Sequence, residues 1–299
     1  MLDLKKVVVV IDPDRESQPA LDKLVALARL AEFDIRMVAC DYTQYLVEGY
    51  YFDAVDIPRL RQEYLTERKA ALETIAEPLR ENGLNVETDA FWGHPGYEML
   101  IRDAVEYGAD LLIHNTRRHS ALSRMFLSND DWQLVRCSPI PLLLVKEKPW
   151  KDHPVMLAAV DPKHSRHKPQ GLDHKILAVS EHIANNLLGK VMVMHSFNEI
   201  PLSGTYMKEA REQHQAAFDR LMADFDIPPE QRFLVEDAPE FGLQQLEAEV
   251  DADLIVMGAI SRSLVSDVFI GNTTERVLDY LESDVLILKP DHFVSPLTL

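Results

Sequence analysis

Cysteine is almost missing from this chain. Its 299 residues hold two, Cys40 and Cys137, too few for a disulfide framework and not spaced as a metal clip, so each reads as a small core residue. Long apolar runs are missing too. No stretch approaches the roughly 20 apolar residues of a membrane span. The opening segment has two lysines before the five-residue run Val7–Ile11, which ends in Asp-Pro-Asp. A signal peptide needs roughly 7–15 apolar residues, so this run reads as a first strand. These absences predict a soluble, cytoplasmic protein with no membrane partner. Positive charge is also short: 31 Lys and Arg stand against 49 Asp and Glu, a net charge of -18. Nucleic-acid backbones are bound by clustered cations, so no nucleic-acid partner is expected, and the acidic excess reads as a source of solubility.

What is present is an ordinary globular composition, 46% hydrophobic and 27% charged, on a length that fits one large or two ordinary domains. A duplication decides between them. Gly108–Ile113 recurs as Asp251–Val256, and the match runs on without gaps, placing Asn129 on Asn272 and Leu142–Lys146 on Val285–Lys289. Upstream, Val9-Val10-Ile11-Asp12-Pro13 answers Ala158-Ala159-Val160-Asp161-Pro162. A period of about half the chain is a domain duplication and not a solenoid. The polar segment Lys148–Pro154, with a proline near either end, places the boundary at residue 150, giving domains 1–150 and 151–299.

Each half alternates strand and helix. Val7–Ile11 is continuous and β-branched, as a strand covered on both faces requires. Apolar residues at helical spacing follow over 20–31, then a strand over 35–39 and a long charged helix over 59–81 that stops at Asn82-Gly83. Strands over 85–91, 110–114 and 142–145 and helices over 98–106 and from 130 complete the first half. The second half repeats the order, with strands near 155–160, 190–195, 232–236, 253–257 and 285–288. This alternation predicts an α/β protein of two tandem doubly wound, five-stranded parallel sheets. Ligands of such sheets bind at the carboxyl ends of the strands, where Asp12, His114, Asp161, His195 and Gly258 fall.

One loop carries the chemistry. Gly258-Ala-Ile-Ser261-Arg262 follows the strand 253–257, and Gly271-Asn272-Thr273-Thr274-Glu275 then opens a helix. Glycines allow close backbone approach, and a helix N-terminus offers N–H donors and partial positive charge, which suits a phosphate chain. The same residues admit a structural reading in which Gly258 closes a strand and Gly271-Asn272 caps a helix.

With these motifs the chain resembles the universal stress protein family in its tandem form, twice over nearly the full length. The family signature after the fourth strand is Gly-x-x-Gly, nine residues, Gly-Ser/Thr. Here Gly258 and Gly271 keep the first and third glycines, Ser261 replaces the second and Asn272 stands at the Ser/Thr position. The resemblance implies an adenine nucleotide alpha hydrolase-like fold and a cofactor, ATP with Mg or a related nucleotide. It assigns that ligand to Asp161, Ser196, Gly258, Ser261, Arg262, Gly271, Asn272 and Thr273. It further implies a stress-response sensor, and pairing of the apolar last strands, Pro141–Val145 and Val285–Leu288, as an intramolecular pseudo-dimer or in a further homodimer.

In the first half the signature positions are Asn115, Arg118, Ser128 and Asn129, so every glycine is gone, and Asp130 and Asp131 beside them repel phosphate. That half reads as structural or regulatory. Asp161, His164, His167 and His174 match no closed metal motif, and a polar loop is expected. His119 near Ser120 and Ser123 does not make a triad. With neither a nucleophile elbow nor a P-loop, no catalytic residue is assigned, and any ATP hydrolysis is expected to be slow, since there is no dedicated base and Arg262 is the one candidate for a transition-state arginine. Two alternatives to a nucleotide sensor stay open: a protein-interaction scaffold with degenerate pockets, and a slow ATPase.

Overall fold

The computed structural model describes residues 3–29, 31–42, 46, 56–116, 128–163, 171–198, 204–259, 278 and 280–298. They form two compact units. In the first, β1 (Lys6–Val10), α1 (Pro19–Leu27), β2 (Asp34–Asp41), α2 (Ile57–Glu81) and β3 (Asn85–Trp92) precede α3 (Gly96–Tyr107), β4 (Leu111–Asn115), α4 (Asn129–Cys137) and β5 (Leu142–Val145). Its strands lie in the order β3-β2-β1-β4-β5 and every recorded pair is parallel. β1 sits in the middle, which is why Val7, Val8 and Val9 are each fully buried. A strand sandwiched by helices has no solvent face, so it tolerates no polar alternation.

The second unit repeats the plan with β6 (Val155–Val160), α5 (Leu172–Asn186), β7 (Lys190–Phe197), α6 (Gly204–Met222), β8 (Arg232–Glu236), α7 (Pro239–Val250), β9 (Leu254–Gly258) and β10 (Asp284–Leu288). The strand order is β10-β9-β6-β7-β8, again parallel throughout. The predicted doubly wound α/β architecture is therefore present twice. Element ends moved by a few residues. α1 begins at Pro19, whose fixed φ suits a first turn, and α3 ends on Gly108 at φ 74, the left-handed stop that glycine adopts without strain.

Helix-to-sheet contacts set the faces. On β2, Arg36 reaches outward to Asp103 of α3, which accepts from Nε at 3.0 Å and Nη2 at 2.8 Å, while Glu87 of β3 accepts from Nη1 and Asp89 shares Nη2. Ala39 and Met37 face the opposite way and are buried. Among the described residues no helix is long and apolar enough to cross a membrane.

Candidate functional site

In each unit the winding reverses beside the central strand, and that is where its carboxyl end opens a crevice. In the second unit β6 lies between β9 and β7. The last recorded β6–β9 pair is Ala159 with Met257, so Val160 and Gly258 come next on the two strands, and Val160 pairs with His195 of β7. The fold thus brings Asp161, Ser196 and Gly258, three of the residues expected to bind ligand, to the same end of three adjacent strands. Ser261, Arg262, Gly271, Asn272 and Thr273 lie outside the described residues, as do His164 and His167.

The three placed residues are each tied into the scaffold. The Asp161 backbone N–H donates to Asp173 Oδ1 on the first turn of α5 at 3.0 Å. Ser196 Oγ donates to the Asp237 carbonyl at 2.6 Å, joining the end of β7 to the chain entering α7. Gly258 has a packing reason to be glycine. A Cβ there would stand 2.7 Å from Leu172 Cδ2, at the start of α5, so the missing side chain lets Leu172 lie against the strand as it does.

Beneath Asp161 lies a polar pair of which the sequence reading placed His195 at a strand end but missed His214. His195 and His214, from β7 and α6, are 0% and 1% exposed, and His195 Nε2 is 2.8 Å from His214 Nδ1. His195 Nδ1 is 3.2 Å from the Val160 carbonyl, which only accepts. Nδ1–H is therefore the donor there, and neutral His195 accepts from His214 through Nε2. Burial, reinforced by His214, pushes the His195 pKa down to about 4, against the pull of the Asp161 carboxylate, whose Oδ1 is 4.0 Å away. Phe197 stacks on His214 at 4.5 Å. The signal was present in Lys190–Phe197: alternation puts His195 on the inward face with Val191 and Val193.

The first unit treats the same strand end differently. Arg68 of α2, buried, gives Nε to Asp41 Oδ2 at 2.7 Å and its terminal nitrogens to Asp14 at 2.7 Å and Asp12 at 3.3 Å. Its guanidinium also lies 5.6 Å over the Tyr64 ring. The aspartate equivalent to Asp161 is thus locked by an internal cation. Where Gly258 stands in the second unit, Asn115 fills the space, accepting the Ala20 N–H at 3.0 Å, and His114 Nε2 meets buried Asp131 at 2.9 Å. Of the residues weighed as metal ligands, His174 Nε2 is engaged by Asp224 at 2.9 Å, and no metal-holding cluster occurs among the described residues.

The family model described as universal stress protein family matches this chain at residues 3–146 and again at 157–289. The chain belongs to the universal stress protein family. It is a tandem member. Universal stress protein E of Photorhabdus laumondii is 27% identical over 99% of this chain and 98% of its own length, and universal stress protein E of Escherichia coli K12 is 25% identical over 99% and 97%. Among solved structures, a functionally unknown protein from Pseudomonas aeruginosa PAO1 superposes with a TM-score of 0.79 at 27% identity, covering 97% of this chain and 94% of that one. A universal stress protein from Archaeoglobus fulgidus shares the fold at a TM-score of 0.68 and 15% identity, over 96% and 99%. The tandem universal stress fold expected from the motifs is thus the fold of the whole chain.

Proposed function

We propose that this tandem universal stress protein is a cytoplasmic stress-response sensor of two domains meeting near residue 150, and that its second domain binds ATP with Mg, or a related nucleotide. The ligand lies at Asp161, Ser196 and Gly258, with Ser261, Arg262, Gly271, Asn272 and Thr273 of the loop along the phosphates. One observation carries the asymmetry. The first unit closes its strand-end aspartate with Arg68 of α2, whereas in the second the arginines of α6 turn elsewhere, Arg211 to Glu236 and Arg220 to the Ala216 carbonyl. There α6 sends His214 to His195 instead. A neutral imidazole pair underlies the second crevice where a buried guanidinium closes the first, and that difference favours a ligand in the second.

Calorimetry with Mg-ATP on the full chain tests this reading. Heat is expected in the wild type, with Asp161→Asn and Gly271→Val each weakening binding about tenfold or more, the scale of one charge-assisted contact. Absence of heat at millimolar nucleotide overturns it. Gly258→Val is a poor probe, because its effect on α5 packing would mimic loss of a ligand contact.

A second reading, an interaction protein with no nucleotide, draws on two details of the site. Gly258 is accounted for by Leu172, and the Ser196 hydroxyl is already given to Asp237. Mass spectrometry of the purified protein separates the two: a co-purified nucleotide supports the first, and a protein partner with no small molecule supports the second. Slow ATP hydrolysis is the remaining alternative, dismissed if phosphate release does not exceed that of Gly271→Trp.

A further inference from the structure

Comparison of the duplicated units picks out a groove at the edge of the second one. Strand register makes Thr88 and Arg232 equivalent, since Val9 pairs with Met37 and Met37 with Thr88, while Ala158 pairs with Val193 and Val193 with Arg232. On the covering helices, Glu73 stands five residues after Arg68 and Asp219 five after His214, the two side chains that reach the second strand. Glu73 and Asp219 are therefore equivalent too.

The two units use these positions in opposite ways. In the first, Thr88 Oγ1 donates to Glu73 Oε1, and Arg80 caps the other carboxylate oxygen at 2.5 Å. Helix and edge strand are stitched together there. In the second, Arg232 and Asp219 carry opposite charges, yet no ion pair joins them among the described residues. Each is held by a near neighbour instead. Arg232 Nε donates to the Ile227 carbonyl at 2.7 Å, and Asp219 Oδ1 accepts from Gln215 at 2.8 Å. Between them is a cavity of about 340 Å³, with Phe218 and Leu234 among its walls.

The Nε bond fixes the Arg232 fork while its two terminal nitrogens make no hydrogen bond or ion pair among the described residues. A guanidinium so presented suits a carboxylate taken bidentately. Asp219, across the cavity, suits a cation. Arg211, which also lines the groove, is held by Glu236 at 2.9 Å and adds little net charge. The lining of the groove is mainly polar, with Phe218 buried behind it. A cavity of this volume lies at the small end of ligand pockets.

We propose that the groove between α6 and β8 binds a small amphoteric molecule of the free amino acid class, its carboxylate on Arg232 and its ammonium on Asp219. The site is separate from the strand-end crevice and does not depend on nucleotide binding there. The two copies differ accordingly: the first uses the positions as a structural clasp, and the second holds complementary charges apart.

Calorimetry on the full chain tests it with glycine, L-leucine and L-phenylalanine as probes. N-acetyl-L-leucine and L-leucine methyl ester, each lacking one charge, are the controls. At least one free amino acid is expected to bind, with both blocked forms weaker by about tenfold or more, the scale of one charge-assisted contact. Arg232→Gln and Asp219→Asn are expected to weaken binding equally, with unchanged circular dichroism, and Asp161→Asn to leave it intact. The proposal is overturned if no probe gives heat at millimolar concentration, or if a blocked form binds as tightly as its parent. The blocked-form comparison needs only wild-type protein, so the test stands even where a variant misfolds.

Discussion

His195 is a buried histidine kept neutral by its surroundings, and its titration has a direction. Its folded pKa, about 4, lies below the value of about 6.5 in an unfolded chain, so between those values the unfolded chain binds more protons. Stability is full above pH 6.5 and declines as pH falls towards 4. The loss is up to about 3 kcal/mol, at about 1.4 kcal/mol per pKa unit. Urea midpoints across that window check it, with the slope reduced in His195→Gln. A second prediction concerns Cys40, whose thiol is pushed up to about 12 by burial and by Asp41, Asp130 and Asp103. Thiolate is the reactive form, so iodoacetamide at pH 8 is expected to modify native Cys40 at least tenfold more slowly than in urea, given a free thiol near pKa 8.5. Equal rates would sink the idea. The sequence reading made both cysteines core residues, which holds for Cys137, whereas Cys40 is half-buried with Asp41, Asp103 and Asp130 around it. The histidine pair was not legible in the sequence, because His195 and His214 are far apart in the chain and only the crossing of α6 over β7 joins them.

At the scale of the elements, two contacts between a helix and a strand end hold the crevices in shape. Gly258→Val would drive a side chain into Leu172, and overpacking of this kind costs about 1–3 kcal/mol. Leu172→Ala should recover part of that loss in the double variant, because the two positions share one space. Additive losses in thermal denaturation would instead place the strain elsewhere. In the first unit, Arg68 joins α2 to the ends of β1 and β2 through three aspartates. Arg68→Met would leave Asp12, Asp14 and Asp41 facing one another. The expected loss is about 2 kcal/mol, below the figure for a fully buried pair because Asp14 is largely exposed. Chemical denaturation measures it. The strands and helices were readable from hydrophobic period and stop signals, as at Gly108. Arg68 gave no local signal, since a lone arginine on a long charged helix looks like its solvated neighbours.

For the whole molecule, the duplication predicts a stoichiometry. If the second domain binds nucleotide and Arg68 closes the equivalent place in the first, calorimetry should return one Mg-ATP per chain. Two equal sites would refute the asymmetry. The net charge of -18 bears on stability as well, since self-repulsion of an acidic surface is relieved by counter-ions. Raising sodium chloride from about 0.01 M to about 0.15 M shortens the Debye length from about 30 Å to about 8 Å. The thermal midpoint is expected to rise, and a fall would show that specific ion pairs outweigh the general repulsion.

The sequence by itself determined the family, the doubling of the fold and the order of strands and helices. Those follow from patterns a few residues long, repeated, and from backbone preferences that act locally. Only the tertiary structure decided how the two crevices differ, one locked by Arg68 and the other underlaid by His195 and His214. It also decided that Thr88 and Glu73 clasp where Arg232 and Asp219 stay apart. These outcomes depend on which side chains meet across distances of many residues, and such meetings are set by how helices seat on the sheet.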